Sequence, residues 1–186
     1  SSSCQGAAGE AGARRGRRKS LIGRRRPKSG AVENPDDPEA ARRSALLWLS
    51  RRDHSSAELF GKLTVKGHSA EAARAAIAGL EAERLLDDAR FLDNFVRSHA
   101  ARGHGPMRIR QELSGLGFAP AVIDGALAAG PDFVAVCRQV RLRKFGAEPA
   151  ASWAERAKQA RFLQYRGFSS DHIRLATGHD PEAPET

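Results

Sequence analysis

Apolar residues along this chain recur at intervals of three and four, the period of a helix that buries one face, and no segment alternates as a strand would. The clearest case is Gly103 to Phe118, GHGPMRIRQELSGLGF. Ile109, Leu113 and Leu116 share one face of that helix, with Arg108, Gln111 and Gly115 on another. Gly105 is a permissive N-cap, and Pro106 fits the first helical position, where its fixed φ helps and its missing N–H is not needed. Gly117 falls where a left-handed C′ residue belongs, and Phe118 can close back on Leu113. Ala119 and Pro120 then open the next helix.

The same glycine stop recurs at a fixed period. KLTVKGHSAEAARAAI from Lys62, ELSGLGFAPAVIDGAL from Glu112 and FLQYRGFSSDHIRLAT from Phe162 each begin fifty residues after the last. Leu63, Leu113 and Leu163 align, as do Gly67, Gly117 and Gly167, then Ala73, Ile123 and Ile173. A further apolar segment lies upstream of each: SALLWLSRR, ARFLDNFVRSHA and DFVAVCRQVRLRKF. The pattern predicts an all-α fold of three tandem three-helix repeats, stacked so that neighbours bury a shared core. The expected divisions are 39–86, 87–130 and 131–178, with an acidic tail at 179–186. Gln159 stands where the other repeats have Leu59 and Ile109, which leaves the third register open.

Charge changes this picture. The 186 residues carry 31 Lys and Arg against 22 Asp and Glu, a net charge of +9. Nine of those cations and a single acid fall within residues 1–30, so the remainder is close to neutral. Residues 1–38 hold few bulky apolar side chains and read as a disordered basic arm or a solubilising leader. Residues 31–93 hold twelve acids and nine bases, whereas 138–176 hold three acids and nine bases. One column runs Glu58, Arg108, Lys158. No apolar signal segment or membrane span is visible. Cys4 and Cys137 make no disulfide framework and fit a reducing, cytoplasmic home.

Catalytic patterns are missing: no phosphate-binding glycine loop, no HExxH, no cysteine pairs at zinc spacing. Asp53-His54-Ser55 has the letters of a triad but not its geometry, and a capping role is expected. His99 and His104 straddle a turn with no third ligand beside them, so neither a metal nor another cofactor is expected. The third repeat is more specific. Lys158, Arg161 and Tyr165 share a helix face that could hold phosphates and stack a base, or be simply solvated. Arg166 adjoins them. Arg138, Arg141, Arg143 and Lys144 crowd the end of the preceding helix, where they also complement its dipole.

LLDDARFLDNFV followed by GPMRIRQELSGLGF resembles the signature of the bacterial RecX family, regulators of the recombinase RecA. The match rests on Leu86, Asp87, Asp88, Phe91, Phe95, Gly105, Pro106, Arg108, Ile109, Glu112, Leu113 and Gly117, within a likeness spanning about Arg42 to Thr177. The resemblance implies an elongated, curved array without enzymatic activity that lies in the groove of the RecA filament on single-stranded DNA. It also implies suppression of RecA's ATPase, strand exchange and co-protease activities, and a monomer is expected. On this reading Gly67, Gly105, Pro106, Gly117 and Gly167 are architectural. Arg108 and Arg110 become candidate contacts, although Arg108 also stands one turn before Glu112, at ion-pair spacing. A helical protein that binds DNA directly, without RecA, is the alternative.

Overall fold

In a computed structural model, residues 32–178 are described; among them are nine helices and no strand. They form three groups of three: α1 (Pro38–Leu49), α2 (Ser56–Lys66) and α3 (Ala70–Ala82); α4 (Asp88–Ala101), α5 (Pro106–Gly115) and α6 (Pro120–Ala128); α7 (Phe133–Phe145), α8 (Trp153–Tyr165) and α9 (Ser170–Thr177). In each group the first helix packs on the third. Asp37, Asp87 and Asp132 cap the first helices, each accepting a backbone N–H from the first turn. A cap of this kind contributes about 1 kcal/mol.

The repeating glycines terminate helices as their spacing predicts. Gly67, Gly117 and Gly167 have φ of +108°, +88° and +90°. At each, the glycine N–H donates to the carbonyl three residues back, and the next N–H donates to the carbonyl five residues back: His68 to Leu63, Phe118 to Leu113, Phe168 to Leu163. This is the paired bonding of a Schellman stop. Leu63, Leu113 and Leu163, on whose carbonyls the chain closes, are fully buried.

The expected shared core holds for two repeats of the three. Phe91, Val96, Ile109, Leu113, Cys137, Leu163 and Phe168 belong to one continuous cluster, joined where α4 packs on α7. Repeat one keeps its own cluster, in which Ala41, Ala45, Ala72, Ala73 and Ala76 surround Leu59, Leu63 and Leu80. Alanine faces let α1 close tightly on α3, so that repeat fills its interior without borrowing side chains. The doubtful third register holds: Gln159 is buried like Leu59 and Ile109, and its amide oxygen accepts from Arg141 Nε at 3.1 Å.

The last seven residues assigned to the arm, 32–38, are part of the fold. Pro35 accepts the Ser69 N–H at 2.9 Å, and Pro38 begins α1. The rest of the arm and the tail 179–186 lie outside the described residues.

Candidate partner interface

Repeat one pairs half of its eight cations with its own acids or with Asp37 at its start. Arg42 meets Glu83 at 2.9 Å, and Arg43 lies 3.6 Å from Asp37. Glu58 gathers three partners: Arg52, His54 at 3.0 Å and Lys62 at 3.3 Å. Burial works to raise the Glu58 carboxyl, but hydrogen bonds from Arg52, His54 and Lys62 outweigh it and hold the group at about 2. Burial lowers His54, against the raising effect of Glu58. Of the triad-like letters, Ser55 is the N-cap of α2, as expected, accepting the Glu58 N–H.

Repeat three does the opposite. Of its nine cations, only Arg174 has a carboxylate partner among the described residues, Asp171 at 3.1 Å. Several others turn to neutral groups. Arg138 donates to the Leu175 carbonyl at 2.9 Å, and Arg141 is held by Gln159 and the Glu148 carbonyl, which commits its guanidinium to the repeat itself. Lys144 and Arg166 lie over the Phe162 ring, 6.0 and 5.4 Å from its centroid. On α8, Lys158 and Arg161 are exposed, and Tyr165 is 82 % exposed. Arg161 folds back on the Ala157 carbonyl at 3.3 Å, while Lys158 has no ion-pair partner among the described residues.

The junction of repeats two and three joins helix ends. The Gly105 N–H donates to the Arg166 carbonyl at 2.8 Å and the Met107 N–H to the Gly167 carbonyl at 3.0 Å, so the start of α5 satisfies the end of α8. A Cβ on Gly105 would stand 2.3 Å from the Gly167 carbonyl, and one on Gly167 2.5 Å from Arg108 Cβ. Only glycines allow this approach. A Cβ on Gly103 would lie 3.8 Å from the Arg143 guanidinium and 4.0 Å from that of Arg166. Arg166 reaches the Arg102 carbonyl at 3.4 Å. The fold thus gathers Arg143 and Arg166, widely separated in sequence, beside the 102–105 turn. Arg108 forms the ion pair its spacing allowed, Nε to Glu112 Oε1 at 2.9 Å, and Arg110 pairs with Asp124.

Sequence reasoning found no third ligand for His99 and His104, but the fold supplies one. His99 Nδ1 lies 2.7 Å from Glu112 Oε2 and 3.3 Å from His104 Nδ1, and one donor atom from each residue falls within 4.8 Å of the others. Glu112 is eight residues beyond His104 and returns only because α5 folds back along α4. Burial lowers both histidines, with further lowering from Arg102 at His99 and from Arg108 at His104. Burial works to raise Glu112, but the hydrogen bond from Arg108 and the charges of His99, Arg108 and His104 together outweigh it, and the carboxyl is lowered. The Cys137 thiol is fully buried and pushed up to about 12 by that burial, the state of an inert core residue. No single described helix is long and apolar enough to cross a membrane.

Three family descriptions match the chain in order: the first three-helix domain of RecX over residues 41–80, the second over 87–127 and the third over 132–177. The regulatory protein RecX of Halorhodospira halophila is 45 % identical over 148 residues, covering 79 % of this chain and 92 % of that protein. The protein of the same name from Pseudomonas fluorescens Pf-5 is 45 % identical over 141 residues, covering 75 % and 91 %. A crystal structure of RecX from Lactobacillus salivarius has the same fold, with a TM-score of 0.63 at 22 % identity over 75 % of this chain and 94 % of that one. With three helical domains matched in register and identity sustained across most of both chains, this chain belongs to the RecX family of regulatory proteins.

Proposed function

We propose that this protein is a monomeric, cytoplasmic, non-enzymatic regulator that binds RecA assembled on single-stranded DNA, within the filament groove, and inhibits ATP hydrolysis, strand exchange and co-protease activity. Family membership supports RecA as the partner. The observation that carries the choice of surface is the unpaired charge of repeat three: nine cations, one carboxylate partner, and an exposed Lys158, Arg161 and Tyr165 on α8. Cations already held by carboxylates gain little from a phosphate, because a partner must first be broken. Cations without one gain the full charge-assisted contact. Arg143 and Arg166 beside the 102–105 turn extend this surface. Arg108 and Arg110, both paired with acids, contribute less, as does Arg141. Repeat one, with Arg42, Arg43, Arg52 and Lys62 already held by carboxylates, faces protein.

The test is ATP hydrolysis by RecA on single-stranded DNA. The intact protein slows it, and reversing Lys158 and Arg161 to Glu weakens that inhibition more than Ala substitution does, since reversal adds repulsion. Helix content of the reversed variant stays unchanged, because both side chains are exposed. Unaltered inhibition by the reversed variant would remove repeat three as the contact. Equal retention on bare DNA and on RecA-coated DNA at one salt concentration would favour direct DNA binding instead.

A further inference from the structure

The meeting of His99, His104 and Glu112 is poorly explained by hydrogen bonding alone. His99 Nδ1 faces two polar atoms at once, Glu112 Oε2 at 2.7 Å and His104 Nδ1 at 3.3 Å. A neutral imidazole Nδ1 carries either one proton or one lone pair. If its proton goes to Glu112, His104 Nδ1 is left facing a ring nitrogen with nothing to give. If the proton lies instead on His104 and points at a His99 lone pair, Glu112 Oε2 loses its donor. One proton cannot serve all three atoms.

We propose that these three atoms form a binding site for a divalent transition ion of the zinc class. Two imidazole nitrogens and one carboxylate oxygen, converging within 4.8 Å, are the donor set of three-ligand zinc sites that keep a fourth position open. The nitrogen donors disfavour magnesium and calcium, which take oxygen. The surroundings hold the donors in place: the His99 ring stacks on Phe95 at 3.9 Å between centroids, and Arg108 Nε fixes the other Glu112 oxygen at 2.9 Å. That outer hydrogen bond leaves Oε2 directed at His99. A bound ion ties the end of α4, through the 102–105 turn, to the middle of α5. It thereby stiffens the turn that meets Arg143 and Arg166 from repeat three.

Zinc is titrated into the full chain carrying Cys4→Ser, in competition with a chromophoric chelator. Saturable binding of one ion per chain is expected, with a rise in the unfolding temperature that magnesium does not reproduce. Cobalt in the same chain gives the visible absorption of a low-coordinate nitrogen and oxygen site. His104→Gln and Glu112→Gln abolish or strongly weaken binding, while His172→Gln leaves it intact. Absence of saturable zinc binding overturns the proposal, as does unchanged binding by both His104→Gln and Glu112→Gln. Should either variant unfold, the cobalt spectrum of the parent decides: octahedral, water-like absorption overturns the site.

Discussion

Repeats one and two build the same turn and helix from the same columns but with opposite charges. Arg52, His54, Glu58 and Lys62 stand fifty residues before Arg102, His104, Arg108 and Glu112. Both ion pairs span one helical turn, Glu58 with Lys62 at 3.3 Å and Arg108 with Glu112 at 2.9 Å, with the acid and base exchanged. In repeat one the acid comes first and sits near the histidine of its own turn. It therefore collects Arg52, His54 and Lys62 into a closed, neutralised group. In repeat two the acid comes last and reaches back to His99 and His104, while a cation stands where the hub was. One scaffold thus gives a sealed surface in one place and a convergent donor set in the other. The glycine frame, not the charge, is what the repeats share.

The largest expected effect separates the two inter-repeat junctions. Gly117 and Gly167 share a column and nearly the same positive φ. A Cβ on Gly117 meets only Ala57 Cβ at an ordinary 3.5 Å, whereas on Gly167 it meets Arg108 Cβ at 2.5 Å and the Arg108 backbone nitrogen at 2.7 Å. Gly117→Ala should therefore cost only the left-handed strain, about 1–2 kcal/mol. Gly167→Ala should cost about 3–4 kcal/mol, because backbone must move as well. Urea unfolding of both variants measures the gap, and equal losses would mean that the junctions are alike.

A second, smaller effect concerns acid. Glu58 is held at about 2 in the folded chain against an ordinary 4.5, so its contribution is complete above about 4.5 and is lost as pH falls toward 2. The magnitude is on the order of 2 kcal/mol. His54 acts in the same sense. Its lowered value means that the folded state resists protonation, so stability falls as pH drops below the ordinary 6.5. Glu58→Gln should reduce stability at neutral pH and flatten its decline between about pH 5 and pH 3. Urea midpoints across that range test it; an unchanged slope would show that the repeat-one group is not the acid-sensitive element.

Much of this was legible because it is local. A helix stop needs a glycine, a leucine four residues before its left-handed turn position and a residue to close back, and Gly67, Gly117 and Gly167 display all of these in linear order. The exposed face of Lys158, Arg161 and Tyr165 was likewise readable from periodicity. What depends on folding back was not readable. Nothing in the sequence announces that Arg166 and Arg143 meet beside Gly103, that Asp88 accepts the Ser56 N–H at 2.8 Å, or that Glu112 returns to His99. Exposed spacing also said nothing of Arg141, whose partner Gln159 looked like a flaw in the core rather than its anchor.

The smallest expected effect refines the shared frame itself. At the end of α3 the chain makes the same paired closure as at the repeating glycines: the Arg84 N–H donates to the Glu81 carbonyl at 2.9 Å and the Leu85 N–H to the Leu80 carbonyl at 3.0 Å. Yet the left-handed position is held by Arg84, at φ +57°, the one non-glycine residue with positive φ among those described. Its side chain is exposed and belongs to no ion pair among the described residues, so nothing offsets the strain of a Cβ in this region. Arg84→Gly relieves that strain but frees the unfolded chain, which leaves a net gain of about 0.5–1 kcal/mol. Thermal unfolding should show a small rise. A loss instead would mean that Arg84 makes a stabilising contact, and that repeat one closes this turn through its side chain where the other repeats rely on glycine.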